Sequence, residues 1–185
     1  MPINLEEVER ALAEADCLAD AASVEAALDR MAGEITARLA DTNPIVYTVM
    51  NGGLILAGRI LPRLPFPLEV GYLHATRYGH ALKGAILDWR VRPTLDLRER
   101  TVLVLDDILD EGHTLAAIID YLKAEGAREV LSAVLVHKEH ERKAYPGMRA
   151  DFTGLDIADR FLFGCGMDYK GYWRNAPGIY AVKGL

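Results

Sequence analysis

The stretch Val102-Leu103-Val104-Leu105-Asp106-Asp107 constrains this chain more than any other. An unbroken apolar run of alternating valine and leucine reads as a strand buried on both faces, which needs sheet neighbours and helices on both sides. The strand empties into adjacent carboxylates. Ile108, Leu109, Asp110, Glu111, Gly112, His113 and Thr114 then form a short glycine-containing loop that opens a helix. The first amides of a helix lack intrahelical partners and lie at the positive end of its dipole, so this loop, with the Thr114 hydroxyl, favours a phosphate. Carboxylates repel phosphate. Asp106 and Asp107 instead suit ribose hydroxyls, which need acceptors, or a hard cation such as Mg2+. Together these parts describe a sugar-phosphate site.

The rest of the chain supplies a frame for that strand. Residues 5–39 carry apolar side chains at spacings of three and four, which predicts two amphipathic helices with a break at 20–23. Residues 44–50 read as a strand, Gly52 and Gly53 as punctuation, and 54–61 as a helix. Strands are expected at 68–73 and 84–89 around a polar stretch, then at 101–105 and 129–136, with a helix at 114–125 ended by Gly126. Strands alternating with helices imply an α/β fold: a central, mostly parallel sheet with helices on both faces. Residues 151–185, rich in glycine and aromatic residues, read as a small appended lobe. Ligands of open parallel sheets sit at the carboxyl ends of the strands, so the loops after Met50, Leu105 and Val136 are the ones expected to carry function.

A length of 185 residues fits one domain, and 51% hydrophobic with 26% charged residues excludes a disordered chain. No apolar run approaches the ~18 residues that cross a bilayer, and the N-terminus has no basic segment leading into an apolar one. Two cysteines, Cys17 and Cys165, make neither a disulfide framework nor a metal pattern, which suits a reducing cytoplasm. The net charge of −6 is concentrated in residues 1–43, where ten acids face three bases. No basic stripe of the kind that neutralises nucleic acid is present.

Residues 102–114 resemble the signature of the type I phosphoribosyltransferases: an apolar run, two acids, then a loop for the 5-phosphate of phosphoribosyl pyrophosphate (PRPP). The likeness extends over much of residues 44–174 and is strongest to the hypoxanthine-guanine enzymes, which join a 6-oxopurine through N9 to PRPP with Mg2+ and release pyrophosphate. It implies a single domain over 1–185, with a core at roughly 40–150 and a hood made by 151–185 with the N-terminal helices. It also implies a homo-oligomer with PRPP and a purine base as its partners, while the cysteine usage, the charge pattern and the lack of a long apolar run lead to the expectation of a cytoplasmic setting with neither nucleic acid nor membrane as partner.

Residue roles follow from the same resemblance. Asp110 is the base that takes the purine's proton, and Lys138 donates to the 6-oxo group. Phe161 stacks on the purine, Leu162 reads it through the main chain, and Asp168 binds Mg2+ near it. Asp106 and Asp107 hold ribose hydroxyls or the metal; Glu111, Gly112, His113 and Thr114 cradle the 5-phosphate. Asn51, Gly52, Gly53 and Arg174 address the pyrophosphate. Arg77 and Tyr78 begin a lid. Asn51 stands where the family often has a lysine or arginine, and Arg77 replaces a common serine, so a charge absent from one loop is present in the other.

Other readings compete. A non-catalytic nucleotide-binding regulator of the same fold is opposed by the retention of Asp110, Lys138 and Asp168. Transfer to xanthine or another base is a second. Gly53 and Gly58 have Walker A spacing, but Arg59 and Ile60 stand where Lys-Ser/Thr is required. His137 and His140 lack the further cysteine or histidine that zinc needs.

Overall fold

Residues 102–105 are fully buried, and their side chains leave in alternate directions. Leu103 and Leu105 enter one apolar cluster; Val102 and Val104 enter another on the opposite face. That period of two is what a strand sandwiched between helices requires. The structure is a computed structural model, and it describes residues 4–77 and 87–184. In chain order the elements are α1 (Leu5–Ala13), β1 (Asp16–Ala19), α2 (Ala21–Leu39), β2 (Ile45–Val49), α3 (Gly53–Ile60), β3 (Glu69–Arg77), β4 (Leu87–Val91), β5 (Thr101–Leu109), α4 (His113–Ala124), β6 (Glu129–Glu139), β7 (Phe152–Ala158), β8 (Leu162–Phe163) and β9 (Ile179–Ala181).

Among the described residues six strands form the main sheet, in the order β4-β3-β2-β5-β6-β7. All run parallel except β4, which pairs antiparallel with β3. Side chains of α2 and α3, among them Leu28, Met31, Ile35, Leu56 and Ile60, share a cluster with Leu103 and Leu105. Leu115, Ile118 and Leu122 of α4 cover the other face with Val102 and Val104. From β2 the chain crosses through α3 to β3; from β5 it crosses through α4 to β6 on the other side. The crevice where connections diverge, between the carboxyl ends of β2 and β5, is therefore the place for a ligand.

Several boundaries differ from the sequence reading. β5 runs on through Asp106, Asp107 and Ile108 to Leu109, because β6 continues beside it and pairs Ile108 with Val136. The paired acids thus stand on a strand, and only residues 110–112 form the loop. The expected first helix stops at Ala13, and Cys17 lies in β1, pairing antiparallel with β9. Asp20 caps α2 by accepting a 2.8 Å hydrogen bond from the Ser23 amide.

The hood is also composed differently. β7 completes the main sheet and packs against α2, whereas the second, three-stranded sheet is β1-β9-β8. Helix α1 is tied to this lobe: the Trp173 indole donates to the Val8 carbonyl at 2.6 Å, and the Tyr169 hydroxyl donates to Glu7 at 3.1 Å. Lys170 pairs with the same glutamate. The expected start of the strand at 84 lies outside the described residues.

Candidate active site

Two adjoining cavities open at the carboxyl ends of β2, β5 and β6. One, of about 400 Å3, is lined by Asp106, Asp107, Asp110, Glu111, Gly112, His113 and Thr114. The other, of about 570 Å3, is lined by Asn51, Gly52, Lys138, Phe161, Leu162, Asp168 and Arg174, and shares Asp107, Ile108 and Asp110 with the first. The sequence-predicted residues from four separate stretches therefore meet in one place.

Three close approaches hold the floor together. A Cβ on Gly52 would lie 2.3 Å from Asp107 Oδ2, so only glycine lets that carboxylate sit over the loop after β2. Gly166, with φ +112°, leaves no room for a Cβ either: it would lie 2.3 Å from the Gly52 carbonyl oxygen and 2.9 Å from Asp107 Cβ. Gly53 is buried, its Cβ position 2.7 Å from the Leu105 carbonyl, and it lets α3 approach β5 rather than lining either cavity. The Met50–Asn51 peptide is cis.

Asp106 and Asp107 are unusual acids. Burial, followed by the charge of Asp107, pushes the Asp106 carboxyl well above the ordinary range, and burial pushes Asp107 up as well. Arg174 approaches Asp107 at 3.9 Å and donates to the Gly166 carbonyl at 2.5 Å and to Asp168, two hydrogen bonds from a group with five N–H donors. Asp168 also accepts from the Gly171 amide at 2.7 Å. Hard oxygen donors that repel one another are suited to a divalent cation, which would relieve that repulsion. Among the described residues no group of three or more acidic, histidine or cysteine side chains is assembled for a metal.

Asp110 is embedded in hydrogen bonds. Lys138 donates to its Oδ2 at 3.1 Å, and the His140 Nε2 lies 2.6 Å from its Oδ1. Partial burial opposes ionisation, but His140 and then Lys138 outweigh it and hold the Asp110 carboxyl below its usual range. Lys138 is also 3.2 Å from Asp159. Phe161 is 46% exposed, and its edge-on neighbour Tyr169, with ring centres 6.1 Å apart, leaves area for a flat partner. Leu162 is buried in β8.

Helix α4 begins after Gly112, which has φ +84° and gives no side-chain cap, so its first amides are open to a ligand. Glu111 is half exposed and lies 3.7 Å from His113, and both residues line the first cavity. Arg77 closes β3; Tyr78 lies outside the described residues. The sequence reading weighed His140 only as a zinc ligand and gave Asp159 and Lys143 no role. Lys143 Nζ donates to three carbonyls, those of Leu109 at 3.2 Å and of Asp110 and Lys138 at 2.6 Å each. The spacing of Lys138 and His140, two apart at a strand end, was the available signal for the histidine.

A sequence profile described as "Phosphoribosyl transferase domain" matches residues 14–170. A hypoxanthine-guanine phosphoribosyltransferase of Aquifex aeolicus is 30% identical over 155 residues, covering 83% of this chain and 86% of that protein. The enzyme of the same name from Bacillus subtilis is 27% identical over 164 residues, covering 86% and 88%. In three dimensions the chain resembles the crystal structure of a hypoxanthine phosphoribosyltransferase from Staphylococcus aureus, with a TM-score of 0.83 at 20% identity and 91% of each chain covered.

Proposed function

The chain belongs to the phosphoribosyl transferase family, and from that premise we propose that it moves the 5-phosphoribosyl group of PRPP to N9 of a 6-oxopurine, hypoxanthine or guanine. The observation that carries this reading is that Asp110, Lys138 and Phe161 share one cavity with Asp107, where a purine and a ribose would meet. The products are a nucleoside monophosphate and pyrophosphate.

Each wall of the site has a task. Phe161 stacks on one face of the purine, and the main chain at Leu162 addresses its edge. The Lys138 ammonium donates to the 6-oxo oxygen; adenine would set an amino donor against that donor, leaving both unpaired. As N9 bonds to the anomeric carbon and the bond to pyrophosphate breaks, the N7 proton passes to Asp110. The open amides after Gly112, with the side chains of His113 and Thr114, hold the 5-phosphate. Asn51 and Gly52 amides and Arg174 receive the pyrophosphate, and Asp106 and Asp107 accept from the ribose hydroxyls. Mg2+ bound with the substrate would be held by Asp106, Asp107 and Asp168 and would offset charge growing on the leaving pyrophosphate. Arg77 and Tyr78 would close over the site and keep water from the activated sugar.

The setting proposed is cytoplasmic: Cys17 and Cys165 are both free thiols, and no helix among the described residues is long and apolar enough to cross a membrane. A homo-oligomer is part of the same reading.

The test is incubation with PRPP, Mg2+ and, in turn, hypoxanthine, guanine, xanthine, adenine and uracil, with chromatography of the monophosphates. Turnover of hypoxanthine and guanine with none of adenine is expected; a different base profile reassigns the substrate, and no turnover of any base removes the reading. Asp110→Asn should leave PRPP binding near wild type while kcat falls at least roughly tenfold.

A further inference from the structure

We infer that His140 is a positioning residue that fixes the carboxylate of Asp110 through one oxygen and leaves the other to the substrate. The inference rests on the reading of Asp110 as the base. Its tautomer follows from connectivity. The Arg142 backbone N–H donates to His140 Nδ1 at 3.0 Å, so that nitrogen presents a lone pair. In the neutral ring the proton then sits on Nε2, 2.6 Å from Asp110 Oδ1, where it donates to the carboxylate. The ring cannot turn away, because its side chain is only 4% exposed.

The segment bearing His140 is itself anchored. Lys143 binds the carbonyls of Asp110 and Lys138, and the Ala144 amide donates to the Glu111 carbonyl at 2.7 Å. The two oxygens of Asp110 are thereby distinguished. Oδ1 stays with His140, whereas Oδ2 is held by Lys138, the same ammonium that a 6-oxo group would draw off. Arrival of the purine thus frees Oδ2 toward the N7 proton, while His140 keeps the carboxylate from following the lysine.

The test compares His140→Phe, which keeps the ring and loses the donor, with His140→Gln, whose amide N–H can reach the same oxygen, in both wild-type and Asp110→Asn backgrounds. Steady-state kcat and the KM for PRPP are measured in each. H140F should lower kcat about tenfold with the PRPP KM within about twofold, and H140Q should recover most of the loss. In the D110N background H140F should change kcat less than about twofold, because the group it acts through is gone. Equal losses from H140F and H140Q, or the same fold-loss in both backgrounds, would overturn the inference. So would an H140F enzyme of wild-type kcat, and if D110N is impaired at that point, the base assignment survives without His140. If D110N alone retains wild-type kcat, it is the underlying reading that fails. Should H140F not fold, His140→Asn, whose shorter amide falls short of Asp110, takes its place with the same expectations.

Discussion

Gly52→Ala offers a sharp test of the site, because its effect can be worked from a single contact. The new Cβ would lie 2.3 Å from Asp107 Oδ2 and 2.5 Å from its Cγ, whereas ordinary contact begins at 3.4 Å, so the carboxylate must retreat by about 1 Å. Asp107 is 7% exposed, and Gly166 lies on its other side, which limits where the group can go. The obstructing atoms are the tip of a side chain rather than backbone. The fold should therefore lose only about 1 kcal/mol, the low end for an overpacked contact, and Tm should fall by about 2–4 °C. Activity should suffer more. A displacement of about 1 Å at a group that holds the reacting sugar costs on the order of 10²-fold, and kcat/KM for PRPP should drop by roughly that factor. Initial rates of monophosphate formation at varied PRPP, with differential scanning fluorimetry on the same samples, measure both. Retention of kcat/KM within about threefold, with the small Tm shift present, would show that the position of Asp107 does not matter and would refute the reasoning.

Gly166→Ala should show the opposite balance: its φ of +112° and the clash with a backbone oxygen predict a stability loss of about 2–5 kcal/mol, read as a Tm drop of roughly 5–15 °C. Phe161→Ala should raise the purine KM roughly tenfold, from lost stacking, with kcat/KM for PRPP nearly unchanged in the same assay. The free protein should also have a pH signature. Asp106 has a folded pKa raised above its unfolded value, so the folded chain keeps that proton longer, and stability falls as pH climbs from about 4 through the raised value. Asp106→Asn removes this loss, and its Tm should exceed wild type by roughly a few degrees at pH 8 and match it near pH 4; equal melting curves at both pH values would contradict the buried-charge account.

The central strand was legible because burial on both faces leaves no other use for a run like 102–105, and the pairing of Asp106 with Asp107 stands in the sequence itself. How far the strand extends was not, since the pairing of Ile108 with Val136 is a tertiary fact that no local pattern encodes. Cys17 shows the same limit: in an alanine-rich stretch with helical spacing it becomes a strand because β9 lies beside it. Within the site, resemblance brought together Asp110, Lys138 and Phe161, which local chemistry alone would have left as an ordinary acid, a solvated lysine and a core aromatic. His140 and Lys143 escaped because their value lies in contacts across the loop, to Asp110 and to three carbonyls, and a histidine or lysine carries no mark of that in its neighbours.

The anchoring of α1 to the hood has a practical consequence for watching the enzyme work. The chain has two tryptophans; one, Trp173, has its indole N–H engaged by the carbonyl of Val8, one residue before the arginine that faces the acids, while Trp89 packs against Tyr121 with ring centres 4.7 Å apart at the far edge of the sheet. Replacing Trp89 by phenylalanine would leave a single tryptophan, at the seam between helix and hood, and its emission, excited on the long-wavelength side of the tyrosine band, would report without any attached dye how that seam responds as substrate enters.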